Sequence, residues 1–364
     1  MSASSSESRK VFVIAEAGVN HNGQRDLAFA LVDAAADAGA DAVKFQTFDA
    51  KKLASRQAPK AAYQKESTDA GESQLDMLKK LELPHDWHAP LQAHATSRGI
   101  DFLSTAFDED SLSFLMRLGM PVLKMPSGEL TNGPLLWKSA RTRKPLIVST
   151  GMATLSEVEQ GLAIIAHALV ADGEPSSMDE VWRTWSDRGA RRALDGHVTL
   201  LHCTSQYPTP MNEVNLLAMD TLAAAFGLPV GYSDHTEGIL VPVAAVARGA
   251  TVIEKHFTLD RSMPGPDHRA SLEPGELSQM VAQIRALEQV LGERDKAPQP
   301  SEWDTRRAAR QQVVAARPIA AGATLTRDDL TTRRSANGLP ATMLWEFVGR
   351  PAARAYEAGD LIGA

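Results

Sequence analysis

Eight short apolar runs rich in β-branched residues alternate with Ala- and Leu-rich segments of helical period up to about residue 260. This alternation predicts βα units and a parallel sheet, and eight such units fit an α/β fold of the (β/α)8 TIM-barrel type. A doubly wound open sheet is the alternative, but no G-x-G-x-x-G follows the first run. The predicted strands begin at Val11, Ala42, Asp101, Val122, Leu146, Val198, Pro229 and Thr251.

Changes in composition divide the chain into segments. Residues 1–10 are Ser-rich and polar, which predicts a disordered lead-in to a barrel over residues 11–292. Residues 293–310 are charged and contain proline, so we predict a linker. The short strands and Gly or Pro turns of residues 311–364 predict a small C-terminal all-β domain.

Two insertions interrupt the alternation within the barrel. Residues 50–73 are polar and Lys-rich, and we predict a long loop over the barrel mouth. Residues 171–196 precede the sixth strand and therefore fall on the face away from a barrel's active site. We expect this second insertion to be an added helix or an oligomer contact.

Charge and composition narrow the choice of partners. The net charge is −7 without a long basic run, so we expect no nucleic-acid partner. No apolar run reaches the roughly 18 residues that a membrane helix needs, so we expect no membrane partner. Cys203 is the single cysteine, which excludes an internal disulfide, and a cytoplasmic location is predicted.

Polar residues stand at nearly every predicted strand end. The C-terminal strand ends of a β/α barrel converge on one site, where charged side chains are costly unless they meet a ligand or each other. The strand-end residues that bear chemistry are Glu16, Lys44, Gln46, Thr105, Lys124, Ser127, Glu129, Ser149, Ser205, Tyr207, Ser233, His235, Glu254 and His256.

His235 and His256 end adjacent predicted strands and can therefore approach one point. Two imidazoles with open remaining positions suit a divalent ion such as Mn, Fe, Co or Zn, with water or substrate oxygens completing the site. A structural role for each histidine is the alternative. Asp234, beside His235, is expected to orient a histidine ring.

Lys44 and Lys124 would place two cations in the mouth of an acidic protein, which favours an anionic substrate with phosphate or carboxylate groups. Ion pairs with Glu16 or Glu129, or a Schiff base on one lysine, are the alternatives. Both glutamates are acid–base candidates because burial beside cations tunes their pKa. Hydroxyl groups suited to phosphate binding stand at Thr105, Ser127 and Ser149.

Eight motifs occur in the order AEAGVNHNG, VKFQ, LKMPSGE, STGMAT, HCTSQYPTP, GYSDHT, EKHFT and PGPDH. In this series the chain resembles the sialic acid (N-acetylneuraminate) synthase family over residues 11–350, apart from the insertion at 171–196. The tail RPIAAGATLTRDDLTTRRSANG is similar to the SAF domain of that family, a β-clip fold related to type III antifreeze protein. The resemblance implies a TIM barrel followed by a SAF domain.

The resemblance also implies a reaction. Phosphoenolpyruvate condenses with an open-chain N-acyl amino sugar aldehyde, and N-acetylmannosamine is the usual acceptor, giving N-acetylneuraminate and phosphate. Related members use 2,4-diacetamido-trideoxy hexoses to make legionaminate or pseudaminate. A divalent metal, Mn²⁺ first with Mg²⁺ or Co²⁺ as alternatives, and a domain-swapped homodimer are implied as well.

By motif position, the resemblance implies a role for each site residue. His235 and His256 would hold the metal, and Glu16 and Glu129 would transfer protons. Arg334 of the SAF domain would reach the sugar in the partner subunit. The residues that bind the sugar would be Gln46, Tyr207 and Asp267. The residues that bind phosphoenolpyruvate would be Lys44, Thr105, Lys124, Ser127, Ser149, Ser205 and Ser233.

Three departures from the family pattern leave the acceptor sugar open. TAFD replaces the common T-P-F, and Ser205 stands where N-acetylneuraminate synthases often have Asn. RRSANG replaces a K-R-P-G-x-G turn around Arg334. A Schiff-base aldolase that uses Lys44 or Lys124, and an ice-interacting protein, are the alternative functions.

Overall fold

A computed structural model describes residues 10–55, 57–61, 64–65, 68–69, 71–335 and 337–363. The predicted lead-in lies outside the described residues except for Lys10. The chain forms two compact units, of which the first ends at Gly292 and the second begins at Glu293. Within the described ranges, no helix has both the length and the apolar character that crossing a membrane requires.

The first unit contains one sheet of eight parallel strands, which confirms the predicted barrel fold. These strands are β1 (Phe12–Gly18), β2 (Ala42–Thr47), β3 (Asp101–Ala106), β4 (Leu123–Met125), β5 (Leu146–Ser149), β6 (Val198–Cys203), β7 (Val230–Asp234) and β8 (Val252–His256). The hydrogen-bonded order is β3-β2-β1-β8-β7-β6-β5-β4. The two end strands, β3 and β4, contact each other and close the ring.

Helices cover the outside of this sheet. In the first unit they are α1 (Arg25–Asp37), α2 (Ala50–Leu53), α3 (Gln74–Leu81), α4 (His85–Ser97), α5 (Glu109–Leu118), α6 (Gly133–Arg141), α7 (Leu155–Val170), α8 (Met178–Ser186), α9 (Arg188–Arg192), α10 (Ala218–Phe226), α11 (Leu240–Ala247) and α12 (Pro274–Leu291). In α1, Ala28, Leu31, Val32 and Ala35 recur at helical spacing and are buried. This apolar stripe packs the helix against the sheet.

The barrel interior is layered by polarity because successive side chains of a strand point to opposite faces. An apolar layer contains Ile14, Ala42, Leu103, Ile147, Leu201 and Val252. Two residues further along their strands lie Glu16, Lys44 and Glu254, all of them buried. A charged layer therefore follows the apolar layer toward the C-terminal strand ends, where a barrel builds its site.

The insertion at residues 171–196 forms α8 and α9, which pack on α7. His167 Nδ1 lies 2.9 Å from Thr184 Oγ1, and Trp185 Nε1 donates a hydrogen bond to Glu159 Oε1 at 2.9 Å. These two contacts attach α8 to α7, so the insertion adds a helical layer outside the barrel. An oligomer contact through this layer stays a prediction.

The segment at residues 50–73 begins with a helix, α2, where the sequence predicts only a loop. Asp49 caps this helix, because its side chain accepts a hydrogen bond from the N–H of Lys51 at 2.9 Å. The buried Lys60 lies 3.1 Å from Glu72 Oε1 and so ties the middle of the segment to its end. The prediction of a loop is therefore wrong over the first turn of the segment.

The second unit is a small β structure with its own core. Its strands β9 (Gln311–Ala315) and β10 (Leu330–Arg334) are antiparallel, and its helices are α13 (Trp303–Ala309) and α14 (Leu344–Phe347). The core contains Val313, Ala315, Ile319, Leu325, Leu330, Leu344, Ala352, Tyr356 and Ile362. This fold agrees with the predicted SAF-type domain, although α14 adds one helical turn to a module predicted as all-β.

Helix α13 corrects the predicted linker at residues 293–310, which groups with the second unit. Gln299 and Glu302 form a capping box just before the helix, and the N–H of Gln299 donates to Glu302 Oε2 at 2.7 Å. The charged, proline-containing composition suggests a linker, but this local capping is enough to start a helix.

Candidate active site

Four buried charged side chains meet inside the barrel. Lys44 Nζ lies 2.7 Å from Glu16 Oε2 and 3.6 Å from Glu254 Oε2. Lys124 Nζ lies 2.9 Å from Glu254 Oε1. The alternative of a Lys–Glu ion pair is thus present between Lys44 and Glu16, while Glu254, which had no predicted role, connects the two lysines.

Charge compensation within this cluster sets its protonation. Burial would raise the pKa of Glu254, but Lys124 and Lys44 outweigh it and hold that pKa well below its usual range. Burial would lower the pKa of Lys44, but Glu16 and Glu254 raise it. Burial raises the pKa of Glu16 to about 7 against the opposing charge of Lys44. Glu254 is therefore ionised and Lys44 protonated, whereas Glu16 can exchange a proton near neutral pH.

Hydroxyl groups surround the two lysines. Thr105 Oγ1 accepts a hydrogen bond from Lys44 Nζ at 3.0 Å, and Ser233 Oγ donates to Glu254 Oε1 at 3.0 Å. Ser149 Oγ is buried and has no hydrogen-bond partner within the described part of the chain. Because an unsatisfied buried hydroxyl costs about 1–3 kcal/mol, Ser149 is well suited to bind an oxygen-rich ligand.

The turn after β5 places Gly151 among three side chains. Its N–H donates to Ser127 Oγ at 3.0 Å, and Ser127 Oγ lies 3.1 Å from Cys203 Sγ. A Cβ at residue 151 would overlap Ser205 Oγ and would lie 2.8 Å from both Cys203 Sγ and Ser127 Oγ. The turn needs glycine because these side chains approach its backbone so closely.

His235 and His256 face each other at the ends of β7 and β8, with ring centroids 5.5 Å apart. His235 Nδ1 lies 2.6 Å from the carbonyl oxygen of Thr204. A carbonyl only accepts hydrogen bonds, so Nδ1 carries the proton and Nε2 keeps its lone pair. Burial lowers the pKa of His235 to about 4 and the pKa of His256 well below its usual value. Both rings are therefore neutral, as metal ligands must be.

His256 Nδ1 is buried and lacks a hydrogen-bond partner among the residues that the structure describes. Asp267 Oδ2 lies 3.9 Å from it, and burial raises the pKa of Asp267 to about 6. In the described ranges, no group of three or more His, Cys, Asp or Glu side chains could hold a metal ion. The histidine pair therefore fits a metal only as two protein ligands, with water or substrate oxygens supplying the others.

Two asparagines fix the loop that carries Asp267. Asn22 Nδ2 donates to the carbonyl of Pro264 at 2.9 Å, and Asn20 Nδ2 donates to Ser271 Oγ at 3.0 Å. Because these bonds fall on both sides of Asp267, they join its loop to the loop after β1. The NHNG stretch thus positions the loop that carries Asp267, a role that its sequence did not predict.

Asp234 binds a lysine and not a histidine. Its Oδ2 lies 2.6 Å from Lys255 Nζ, and its carboxylate accepts hydrogen bonds from the N–H and the hydroxyl of Thr236, each at 3.0 Å. These partners replace the expected histidine contact, because neighbouring residues of a strand point to opposite faces. Asp234 instead anchors the loop after β7 that carries His235.

The residues predicted to bind a sugar or move its protons stand around the same opening. Gln46 Nε2 donates a hydrogen bond to Glu16 Oε1 at 3.2 Å. The ring centroids of Tyr207 and His235 lie 4.0 Å apart. Glu129 accepts a hydrogen bond from Asn132 Nδ2 at 2.6 Å. The cavity has a volume of about 460 Å³, which suits a small-molecule ligand.

All predicted site residues except Arg334 line this cavity. Arg334 is exposed at the end of β10 in the second unit, and its role stays a prediction. Glu254 and Cys203 also line the cavity without a predicted role. The alternation of side chains along a strand could have indicated Glu254, because it precedes His256 by two residues and so points to the same side of β8.

Comparison with known proteins identifies the family of the chain. The family model described as "NeuB family" matches residues 31–296, and the model described as "SAF domain" matches residues 310–364. These matches agree with the order of the two units in the structure.

Relatives of similar length carry synthase names. The N,N'-diacetyllegionaminic acid synthase of Campylobacter jejuni is 47% identical, covering 97% of this chain and 99% of the relative. The enzyme of the same name from Legionella pneumophila is 45% identical, covering 96% of this chain and 93% of the relative.

A solved structure is similar in fold as well. The crystal structure of N-acetylneuraminic acid synthetase from Leptospira borgpetersenii, in complex with citrate, has a TM-score of 0.67 and 33% identity. The match covers 82% of this chain and 91% of that chain. Together with the match to the family model, these findings confirm the resemblance seen in the sequence: the chain belongs to the NeuB family and carries a C-terminal SAF domain.

Proposed function

We propose that this protein is a nonulosonic acid synthase, which condenses phosphoenolpyruvate with an N-acyl amino sugar aldehyde and releases phosphate. The observation that carries the proposal is the buried Lys44–Glu254–Lys124 array beside the facing histidines. The acceptor expected first from the sequence was N-acetylmannosamine. The two relatives are named for diacetyllegionaminic acid, which favours a 2,4-diacetamido-trideoxyhexose as the acceptor. The product would then be a legionaminate-type acid.

Phosphoenolpyruvate would bind where the buried cations and hydroxyls converge. Lys44 and Lys124 supply positive charge for its phosphate and carboxylate. The unsatisfied hydroxyl of Ser149 supplies a hydrogen-bond donor that has no other use among the described residues. Ser127 and Ser205, held around Gly151, supply further donors at the same side of the cavity.

The bonds that change follow from these two substrates. The enol carbon of phosphoenolpyruvate bonds to the aldehyde carbon, whose oxygen takes up a proton and becomes a hydroxyl. Water adds to the oxocarbenium-like carbon that results and loses a proton. The carbon–oxygen bond to phosphate then breaks as the new hydroxyl loses its proton and becomes the ketone, and the phosphate leaves with the bonding electron pair. We assign the positioning of this water and its proton to Glu16 or Glu129, since both line the cavity.

His235 and His256 would hold a divalent ion, with Mn²⁺ as the first choice and Mg²⁺ or Co²⁺ as alternatives. The neutral rings, the lone pair on His235 Nε2 and the unpartnered His256 Nδ1 fit such an ion. When bound, the ion supplies Lewis-acid polarisation of the aldehyde oxygen. The hydrogen bond from His235 to Thr204 keeps that ring oriented toward the cavity.

The test is phosphate release from phosphoenolpyruvate in the presence of Mn²⁺ and a set of N-acyl amino sugars, with mass spectrometry of the product. We expect turnover that stops with a chelator and returns with Mn²⁺. Loss of a residue that only supports a metal ligand lowers metal affinity or activity by about 10- to 100-fold. His235→Ala removes a predicted ligand itself, so we expect both metal affinity and activity to fall by at least that factor. Absence of metal-dependent phosphate release with every sugar would refute the proposal.

A Schiff-base aldolase fits the site less well. A Schiff base needs a neutral amine, but Lys44 and Lys124 both pair with carboxylates, and these partners raise the pKa of Lys44 against its burial. Borohydride trapping of the protein with pyruvate tests this alternative directly. Stable adduct formation that a chelator leaves unchanged would favour the aldolase.

The homodimer, the role of Arg334 and the cytoplasmic location belong to the same proposal. Arg334 is an exposed cation suited to a sugar or its carboxylate product, and the family resemblance implies that a partner subunit presents it. We place the protein in the cytoplasm because phosphoenolpyruvate is produced there. Light scattering compares the oligomeric state of the wild type and Arg334→Ala, and steady-state kinetics compares their KM for the acceptor. The two measurements together separate an effect on assembly from an effect on sugar binding.

A further inference from the structure

One side of the cavity is apolar, and the reaction proposed above gives this side no role. We define the apolar wall as Val19, Phe48, Leu53, Leu78, Leu81 and Phe107, all of which line the cavity. They belong to one hydrophobic cluster, separate from the main core of the barrel. Phe48 and Phe107 pack edge to face, with ring centroids 5.9 Å apart.

The apolar wall is a built structure. Leu53 and Leu78 come from α2 and α3, and the N–H of Ala50 donates to Glu82 Oε1 at 2.7 Å, which joins the start of α2 to the end of α3. Lys60 binds Glu72 just before α3. Leu53 of the inserted segment therefore reaches the cavity together with Leu78 of α3.

Charge is confined to the rest of the cavity. Among the described residues that line it, the lysines are Lys44 and Lys124, and both are engaged by carboxylates inside the barrel. Gln64 and Gln74 are the polar lining residues contributed by the segments around α2 and α3. A phosphate or another charged group that reached the wall would therefore lose its water without gaining a cation from the described lining residues of this chain.

The acceptor has to extend across this cavity. Its aldehyde end must lie near the lysines and histidines, where phosphoenolpyruvate reacts, so the rest of its chain reaches away from the charged layer. A 2,4-diacetamido-2,4,6-trideoxyhexose carries a methyl group at C6 and two acetamido methyl groups. N-acetylmannosamine carries a hydroxyl at C6 instead, and its 6-phosphate carries a dianion.

We infer that the apolar wall selects the acceptor by burying its methyl groups, and that it rejects acceptors with a polar or charged C6. The inference rests on the proposed function and adds the part of the site that chooses the substrate. Removal of one methyl-sized contact from an apolar pocket changes kcat/KM by about tenfold or more. Leu53 and Leu78 are the residues to alter, because both are only half-buried and a polar replacement leaves the core intact.

The first experiment compares three acceptors on the wild type at saturating phosphoenolpyruvate and Mn²⁺. The acceptors are 2,4-diacetamido-2,4,6-trideoxymannose, N-acetylmannosamine and N-acetylmannosamine 6-phosphate. We expect kcat/KM for the trideoxy sugar to exceed that for N-acetylmannosamine by about tenfold or more, and the 6-phosphate to be the poorest substrate.

The second experiment compares Leu78→Gln with Leu75→Gln. Both leucines are half-buried on α3, but only Leu78 lines the cavity. Leu78→Gln should lower the preference for the trideoxy sugar by about tenfold while leaving the KM for phosphoenolpyruvate unchanged. Leu75→Gln should keep the wild-type preference, which controls for any general effect on the helix.

The outcomes separate this inference from the proposed function. No turnover with any acceptor would overturn the proposed function itself. Turnover with a preference for N-acetylmannosamine or its 6-phosphate would overturn the role of the wall while the synthase proposal stands. The role of the wall would also be overturned if Leu78→Gln and Leu75→Gln showed the same preference for the trideoxy sugar. Leu53→Gln repeats the test at a second position of the wall.

Discussion

Glu254 is the acid that Lys44 and Lys124 share, although the two lysines come from strands far apart in the sequence. Each lysine would be an unpaired buried cation without a carboxylate nearby. Together with Glu16, which pairs with Lys44, Glu254 therefore makes it tolerable for the barrel to keep two cations in its interior. It also places a carboxylate beside each lysine inside the barrel.

Replacement of Glu254 by Gln should destabilise the fold. The loss of one partner from a buried ion pair leaves the other charge uncompensated, and we expect the free energy of unfolding to fall by about 3–5 kcal/mol. Urea denaturation at pH 7 measures the change. Glu129→Gln is the control, because Glu129 is half-buried and its amide can still bind Asn132. Equal stability of the two variants would contradict the role assigned to Glu254.

Single residues also mark the limit of prediction from sequence. The lysines, hydroxyls and histidines could be predicted because each stands at a strand end, and such ends converge in a barrel. Their pairing could not, because it depends on strand register and side-chain rotamers across the barrel. Asp234 illustrates this, since it lies beside His235 in sequence but binds Lys255 on the next strand.

At the scale of elements, the turn between β5 and α7 controls one side of the cavity. Gly151 leaves room for Ser127, Ser205 and Cys203 to approach its backbone. A side chain there would push the serines away from where we place the phosphate. Geometry of this kind is sensitive, because a displacement of about 1 Å reduces rates by about 100-fold.

Gly151→Ala should therefore lower kcat/KM for phosphoenolpyruvate by about 10- to 100-fold. Gly128→Ala is a matched control, since residue 128 also lines the cavity but an added Cβ there would meet no atom within 4 Å. Steady-state kinetics on both variants gives the comparison. Equal kcat/KM values for phosphoenolpyruvate in Gly151→Ala and Gly128→Ala would show that the close approach of the serines to residue 151 does not affect the reaction.

In the second unit, Asp329 stabilises the start of β10 through a charge. Hydrogen bonds from the hydroxyl and the N–H of Thr326, and from Arg317, lower the pKa of Asp329 from 3.8 to about 2. A folded-state pKa below the unfolded value means that the ionised form favours folding. The contribution is complete above pH 3.8 and is lost as the pH falls toward 2.

Asp329→Asn should accordingly weaken the second unit at pH 7 and lose its effect at low pH. Hydrogen exchange of the amides in β9 and β10, followed by mass spectrometry, reports on this unit separately. We expect faster exchange in the variant at pH 7 and a difference that shrinks between pH 4 and pH 2. Asp328→Asn, at the exposed neighbouring position, should match the wild type throughout. A difference independent of pH would rule out the charge as its cause.

Elements differ in how well the sequence predicts them. The eight strands could be predicted because apolar alternation extends over several residues and each run is bounded by a helix. Helices α2 and α13 could not, because each is short and depends on one local cap, Asp49 in the first case and the Gln299–Glu302 box in the second. A cap involves only one or two residues, so the average composition of a longer segment does not reveal it.

At the scale of the whole molecule, each unit has a hydrophobic core of its own. A chain that ends at Gly292 should therefore fold, and its thermal unfolding should remain cooperative. Under the proposed function it should lose acceptor binding, because Arg334 is removed, and full-length Arg334→Ala is the control. Failure of the shortened chain to fold would show that the core of the barrel is insufficient alone.

The closure of the barrel has a consequence for how its chain could be reconnected. Residues near both ends of the first unit are hydrogen-bonded, since Val11 N donates to Glu288 Oε1 at 2.6 Å and Arg285 Nη1 donates to the carbonyl of Val11 at 2.7 Å. The hydrogen-bonded strand order begins at β3 and finishes at β4. A circular permutant of the barrel, opened between those two strands and joined between Gly292 and Lys10, would keep every ladder of the sheet.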